Sequence, residues 1–276
     1  MNKPRVAIQG IKASFHQEAA VKFFGEDIEL VECTSFKQTF EALSRKEADY
    51  VVMAIENSIA GSLLPNYSLM MNYNFPVVGE VSLRIQLHLL AYPGVKFEDV
   101  KYAISHPIAL RQCVDFMEEY PQIKVIESSD TAACAKRVHD EKLMDTVAIA
   151  NTMAAELYEL NALEKRIESN KKNYTRFLIM ADKHNGTIAD PNKASLCFQA
   201  GNEVGSLAKV LNIFAENEIN LSKIQSMPVL GKPNEYNFYA DVEWQEPKQY
   251  DAAIKQALKY THNFNILGEY RKNDKI

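Results

Sequence analysis

Near the middle of the chain, Asn173-Tyr174-Thr175-Arg176-Phe177 sets an amide, a hydroxyl, a permanent cation and aromatic rings side by side. They stand at the mouth of a strand-like run, Phe177-Leu178-Ile179-Met180-Ala181. Such a set can donate hydrogen bonds, hold an anion and offer a flat apolar face. The same residue types are also ordinary strand residues: a β-branched side chain, a surface charge and a core ring. A second set, Glu56-Asn57-Ser58, follows the continuous apolar run 50–55, the pattern of a parallel strand covered on both faces. Polar side chains at the C-terminal edge of such a strand lie where open α/β sheets take ligands. Asn57 and Ser58 could equally cap a following helix. Two further groups have the same double reading. Ser105-His106-Pro107 precedes a helical stretch carrying Gln112, and Ser128-Ser129-Asp130-Thr131 precedes the alanine-rich stretch 132–139. Taken alone, His106 is a structural histidine, Gln112 a solvent-facing helix residue, and Asp130 and Thr131 capping residues.

The elements that must position these groups follow from periodicity. Residues 6–10 form a strand ending in Gly10, and 14–24 a helix with Ser14 as cap and Phe15, Ala19 or Ala20, and Phe23 on one side. A strand, a turn and a helix start form a place where an anion can sit. Residues 29–33 form a second strand and 35–45 a helix with Phe36, Phe40 and Leu43 inward. Strands alternating with helices indicate a parallel α/β sheet. Residues 81–91 read as one long strand crossing into a second lobe, and Pro93-Gly94 as a turn. Residues 102–105 form a short strand, and 108–117 one helix started by Pro107, with Leu110, Cys113, Val114 and Met117 inward. Further strands are expected at 125–127 and 147–150, with a helix at 152–158. The polar stretch 182–193 reads as a linker. Beyond it, strand 194–200, helix 206–216 (Leu207, Val210, Leu211 and Phe214 inward), strands 221–228 and 235–243, helix 249–260 and strand 264–270 make a βαββαβ unit.

The chain has 276 residues, room for roughly two domains with a buried core. It is 47% hydrophobic and 24% charged, ordinary for a globular protein, and its formal charge of −5 speaks against nucleic acid or an anionic membrane as a partner. The start reaches a strand at once, without the apolar core of a signal peptide, and no segment is apolar enough to span a bilayer. A cytoplasmic location is expected. Cys33, Cys113, Cys134 and Cys197 are scattered, with no Cys-x-x-Cys pair, so buried reduced thiols are expected, and neither a zinc site nor a redox motif.

Together the motifs resemble the prephenate dehydratase family over almost the whole chain. Thr175-Arg176-Phe177 preceded by Asn resembles its signature. Glu56-Asn57-Ser58 with Gly61 matches a second motif, departing at Ala60, where an acidic residue is common. Ser105-His106-Pro107 with Ala109, Gln112 and Cys113 matches a third, and the segment at Thr131-Ala132 a fourth. Gly10-Ile11-Lys12-Ala13-Ser14 stands where the family has a Gly-Pro-x-Gly-Thr-like turn, and Glu159 where glycine is usual. The C-terminal unit resembles an ACT domain, a small-molecule sensor usually found paired. Its Val204-Gly205-Ser206-Leu207 and 220–228 are similar to phenylalanine-binding motifs, except that Gln225-Ser226-Met227-Pro228 replaces Glu-Ser-Arg-Pro and loses an arginine.

The resemblance implies an α/β fold: a two-lobed, periplasmic-binding-protein-like catalytic domain over 1–182, with lobes at about 1–78 plus 160–182 and 79–159. A linker at 183–193 and a ferredoxin-like ACT domain over 194–272 complete it. It implies decarboxylative dehydration of prephenate to phenylpyruvate in phenylalanine biosynthesis, with no cofactor and no metal, because aromatisation drives the reaction. Thr175, Arg176 and Glu56 are implied as catalytic. Asn57, Ser58, Ser105, His106, Gln112, Thr131 and Phe177 are implied as substrate-binding. Gly205, Ser206, Leu207, Asn220, Leu221 and Ser226 are implied as allosteric, with phenylalanine as effector at an ACT interface and a homodimer or homotetramer as the assembly. Arogenate, which carries an amine where prephenate has a keto group, is an alternative substrate. A non-catalytic two-lobed binding protein is a rival class, and a purely regulatory ACT protein leaves the first 180 or so residues without a role.

Overall fold

The computed structural model describes residues 3–182 and 188–273, so residues 183–187 of the expected linker lie outside the described residues. In chain order the elements are β1 (Arg5–Gln9), α1 (Phe15–Phe24), β2 (Glu29–Cys33), α2 (Phe36–Ser44), β3 (Tyr50–Asn57), β4 (Gly61–Ser62), α3 (Leu64–Tyr73), β5 (Val77–Arg84), β6 (His88–Ala91) and β7 (Tyr102–Ser105). There follow α4 (Pro107–Gln112), α5 (Val114–Glu119), β8 (Lys124–Glu127), α6 (Thr131–Asp140), β9 (Thr146–Ala150), α7 (Thr152–Leu157), β10 (Asn161–Glu164) and β11 (Tyr174–Ala181). The chain ends with β12 (Lys193–Ala200), α8 (Ser206–Glu216), β13 (Asn220–Pro228), β14 (Tyr236–Glu243), α9 (Pro247–Ala257) and β15 (Thr261–Tyr270). This is a mixed α/β fold with three sheets, ordered β2-β1-β3-β11-β5, β10-β6-β9-β7-β8 and β13-β14-β12-β15.

The chain divides into two compact units, residues 3–61 with 81–177, and residues 62–80 with 178–182 and 188–273. Strands β5 and β11 each run from one unit into the other.

The first unit has two lobes. In one, β1 lies parallel between β2 and β3, and Val6, Ala7, Ile8 and residues 51–55 are buried. In the other, β7 runs parallel to β8 and β9 while β6 runs antiparallel to β9 and β10. The lobes meet at the turn after β1. Ala13 packs into the second lobe's core with Ile104, Ala132, Ala135 and Ala154. The Asn151 amide donates to Glu18 at 3.1 Å, and the Tyr158 hydroxyl donates to the Lys12 carbonyl at 3.3 Å.

In the second unit, the antiparallel sheet is covered by α8 and α9 over a core of Phe198, Phe214, Trp244 and Tyr250. Helix α3 belongs with this unit: its Tyr67 ring lies 4.7 Å from Tyr239, and Lys223 reaches Ser62 Oγ at 3.1 Å. Buried Lys193 bridges Glu80 at 3.0 Å and Glu243 at 3.2 Å. Glycine is required at 268, because a Cβ there would stand 2.1 Å from the Val77 carbonyl oxygen.

Several expectations are corrected. The long strand over 81–91 is two strands. Between them the Leu87 N–H is taken by the buried Glu168 carboxylate at 3.0 Å and the Ile85 N–H by the Asn173 carbonyl at 2.8 Å. The helix over 108–117 is two short helices broken at Cys113. The Gln112 carbonyl accepts from the Ser169 N–H at 2.7 Å instead of continuing a helical ladder, and Val114 turns out to solvent. On α1 the buried face is Ala19 and Ala20, with Phe23 exposed, and on α8 Ile213 is buried beside Val210 and Phe214. Ala13 and Glu159, both where the family resemblance has glycine, adopt left-handed φ values of 65° and 50°.

Candidate functional site

Strand β3 carries its buried apolar run up to Asn57, whose side chain is the centre of the site. Its Oδ1 accepts from the backbone N–H groups of Ile59 at 3.0 Å and Ala60 at 2.9 Å, closing a turn on its own strand end. This turn, not a helix cap, is the local structure of Asn57, because β4 follows. With the oxygen so held, the amide NH2 must face the opposite way. It donates to Asn173 Oδ1 at 2.7 Å and Thr175 Oγ1 at 2.9 Å, with a longer contact to the Tyr174 carbonyl at 3.3 Å. Ser58 fastens the same junction. Its N–H donates to the Tyr174 carbonyl at 2.8 Å, and its hydroxyl accepts from the Tyr174 N–H at 2.9 Å.

The consequence is directional. Thr175 Oγ1 receives a hydrogen bond from the Asn57 NH2, which has no acceptor to offer it in return, the amide oxygen being held by the Ile59 and Ala60 N–H groups. The threonine hydrogen is therefore available to another acceptor. Thr175 is half-buried near the start of β11; Arg176, the next residue of that strand, and Glu56, near the end of β3, are half-buried as well, each with an interaction of its own. Phe177 is fully buried and meets His16 edge-on at 5.1 Å, so its ring lies in the core of the first lobe. Burial lowers the His16 pKa to about 4.

Asn173 also belongs to this cluster. Its side chain is fully enclosed, its oxygen takes the Asn57 donor, and its own Nδ2 has no hydrogen-bond partner among the described residues. A buried donor left unpaired costs about 1–3 kcal/mol. Reading the motif included Asn173 in the opening stretch but gave roles only to Thr175, Arg176 and Phe177. The available signal was its position two residues before Thr175, a spacing that puts two side chains on the same side of an extended chain.

On the second lobe, Asp130 caps α6 by accepting from the Ala133 N–H at 2.8 Å, and Thr131 is the first residue of that helix. Asp130 Oδ2 approaches Gly10 so closely that a Cβ there would stand 2.9 Å away, so glycine is what admits the carboxylate. Burial pushes the Asp130 carboxyl up, while the Ala133 and Ala132 N–H groups and His106 pull it down. His106 caps α4 through Nδ1, accepting from the Ile108 N–H at 3.2 Å. Ser105 is fully buried and donates to the Ile149 carbonyl at 2.6 Å, tying β7 to β9. Gln112 ends α4 half-buried, with its backbone carbonyl on Ser169. Asn57, Ser58 and Thr175 are thus brought together, and Asp130, His106 and Thr131 form a second group by the Gly10 turn. Elsewhere in the same unit a cavity of about 220 Å³ is lined by Glu18, Arg84, Gln86, Asn151 and Thr152.

In the second unit, a cavity of about 360 Å³ is lined by Gly205, Ser206, Leu207, Asn234, Tyr236 and Phe238. Asn220, Leu221 and Ser226 lie on β13, outside that lining. No group of three His, Cys, Asp or Glu side chains able to hold a metal occurs among the described residues, and no described helix is long and apolar enough to cross a membrane.

A mixed α/β fold with a cluster of hydrogen-bonding side chains where the end of β3 meets the start of β11 gives the candidate site. Comparison with known proteins narrows this. Residues 6–185 match the family model for prephenate dehydratase. An Arabidopsis thaliana protein, arogenate dehydratase/prephenate dehydratase 2, chloroplastic, is 35% identical over 98% of this chain and 73% of its own. Among solved structures, one described as GqqA, a novel type of quorum quenching acylase, is 27% identical with a TM-score of 0.87, covering 98% of both chains. The prephenate dehydratase of Arthrobacter aurescens, solved with L-Phe, has a TM-score of 0.86 at 24% identity, covering 99% of this chain and 91% of that one. The chain belongs to the prephenate dehydratase family, whose members are carbon–oxygen lyases.

Proposed function

We propose that this chain converts prephenate to phenylpyruvate at the Asn57–Thr175 junction. The reaction removes the ring hydroxyl as water and the ring carboxylate as carbon dioxide, consuming one proton. The electron pair of the breaking carbon–carbon bond flows into the ring as the carbon–oxygen bond breaks. The protein's tasks are to assist a poor leaving group and to hold two anionic groups.

The observation that carries the reading is the 2.9 Å hydrogen bond from Asn57 Nδ2 to Thr175 Oγ1. An amide donor cannot take the threonine proton, so the hydroxyl is set up to give a hydrogen bond to the departing oxygen, not to attack as a nucleophile. Positioned acid assistance of this kind is worth about 10²–10⁴ in rate. Arg176 holds a substrate anion or a neighbouring carboxylate, and Glu56 orients Asn57 or Arg176. Ser58, Gln112, Thr131 and His106 complete the substrate-binding set, whereas Ser105 and Phe177, implied as binding residues by the resemblance, are buried in packing and support the fold instead. Neutral donors suit a carboxylate that must leave as carbon dioxide, since a strong ion pair would favour the ground state. Incubation with prephenate and detection of phenylpyruvate by its absorbance in alkali tests the activity. Thr175→Ser should keep much of it, and near-normal turnover in a folded Thr175→Val variant would sink the assignment.

The domain plan accompanying this reading is a two-lobed, periplasmic-binding-protein-like catalytic domain over 1–182 and an ACT domain over 194–272. The βαββαβ order with sheet order β13-β14-β12-β15 supports the latter. The cavity at Gly205, Ser206 and Leu207 is the place for a phenylalanine effector, in a homodimer or homotetramer. A thermal-shift titration with phenylalanine, tyrosine and tryptophan tests it: stabilisation by phenylalanine alone is expected, and no shift with any of the three would overturn it.

A further inference from the structure

The cavity of about 220 Å³ in the first unit forms where the start of α1, the end of β5 and the start of α7 come together. None of the residues implied as catalytic or substrate-binding lines it. Its polar groups are fixed from behind. Asn151 caps α7, its Oδ1 accepting from the Ala154 N–H at 2.9 Å, so its NH2 turns to Glu18 and donates to Oε2 at 3.1 Å. Glu18 Oε1 is left unpaired among the described residues, on a half-buried carboxylate. Burial pushes that carboxyl up, against the Asn151 bond and the Lys22 charge, so a cation at Oε1 would supply what water no longer does. His88 Nδ1 accepts from the Arg166 N–H at 3.1 Å, so Nε2 carries the proton and donates to Thr152 Oγ1 at 3.0 Å. The Thr152 hydrogen is thereby left for another acceptor. Arg84 Nε donates to the Lys171 carbonyl at 2.9 Å, and its two terminal nitrogens are unpaired among the described residues.

Two carboxylates, Glu18 and Glu156, thus share one small space with a guanidinium, while Phe15 and Met153 give it an apolar wall. A plain anion meets the carboxylates there and a plain cation meets the arginine, whereas a molecule carrying both charges satisfies each. The room is below the roughly 300–1,000 Å³ of pockets for drug-sized ligands, so the molecule is small. We propose that this cavity binds a free α-amino acid with an apolar side chain. The ammonium sits on Glu18 Oε1 and Glu156, the carboxylate on Arg84 and the Thr152 hydroxyl, and the side chain against Phe15 and Met153. The site is separate from the dehydratase reading above and does not depend on it.

Isothermal titration calorimetry of the full chain with L-leucine tests the site. Two counterparts are titrated beside it: 4-methylpentanoate, which lacks the amine, and 3-methylbutylamine, which lacks the carboxylate. Leucine should bind saturably, and 4-methylpentanoate at least about tenfold more weakly. Glu18→Gln keeps an oxygen for Asn151 but loses the charge, and leucine should bind it at least about tenfold more weakly than wild type. Arg84 is exposed, so Arg84→Gln, like the loss of the ligand carboxylate, should cost only about two- to fivefold. Ser206→Trp, which fills the cavity of the second unit, should leave leucine binding unchanged. No saturable binding, equal affinity for leucine and 4-methylpentanoate, or wild-type affinity in Glu18→Gln would overturn the proposal. Loss of binding in Ser206→Trp would overturn it as well, by assigning leucine to the other cavity. If Glu18→Gln does not fold, the comparison of leucine with 4-methylpentanoate on the wild-type chain decides. A chain that leaves prephenate untouched but binds leucine in this way overturns the dehydratase reading alone.

Discussion

Asn57 donates to the Thr175 hydroxyl oxygen across 2.9 Å from a position 118 residues earlier in the chain. The direction of that bond is set by the turn that holds the other end of the amide. Reversing it is a sharper test than removing it. In Asn57→Asp the carboxylate accepts where the amide donated, so the Thr175 hydroxyl turns inward to donate to it. Turnover of prephenate should fall by about 10²–10⁴, while Thr175 itself is untouched. Steady-state kcat measures this, and an active Asn57→Asp enzyme would show that the bond's polarity does not matter.

Glu159 holds φ at 50° in an exposed turn after α7. A left-handed backbone costs a non-glycine residue about 1–2 kcal/mol, partly offset by glycine's greater unfolded-state freedom. Glu159→Gly should therefore stabilise the protein by about 1 kcal/mol or less and raise Tm. A lowered Tm in thermal denaturation would refute the strain argument.

His16 sits between Phe36 at 5.4 Å and Phe177 at 5.1 Å. As a residue it keeps some exposure, but its titrating Nε2 is enclosed and without a hydrogen-bond partner among the described residues, so burial lowers its pKa to about 4. The unfolded chain binds this proton near pH 6.5 and the folded chain only near 4. Between those values the unfolded state holds more protons, so stability rises with pH. The contribution is complete above about pH 6.5 and lost by about pH 4, up to about 3 kcal/mol across that window. The slope of Tm against pH between 4 and 6.5 should be shallower in His16→Leu than in wild type.

Lys193 is buried against two carboxylates, Glu80 and Glu243, and Lys272 also reaches Glu243 at 2.8 Å. Burial opposes ionisation of Glu243, but Lys272, Ser222 and Lys193 outweigh it and hold the carboxyl down at about 2. Lys193→Met leaves charge buried without its partner, a change that costs about 3–5 kcal/mol. Chemical denaturation should show the loss, and Lys193→Met with Glu80→Gln together should recover part of it.

Periodicity and composition were enough to place the alternating strands and helices, the βαββαβ order of the C-terminal region and the polar strand ends at Asn57 and Thr175. These depend on side-chain alternation and capping chemistry, which are local. Motif spacing also carried the family. The breaks at Cys113 and between β5 and β6 were not legible, because each is made by a distant group, Ser169 in one case and Glu168 in the other, that diverts a backbone hydrogen bond. Nor was the hydrogen bond between Asn173 and Asn57. In sequence Asn173 is a polar residue before a strand. Only the return of β11 beside β3 gives its oxygen a partner and leaves its nitrogen without one, because hydrogen-bond direction is a property of two side chains in space, and 116 residues separate this pair.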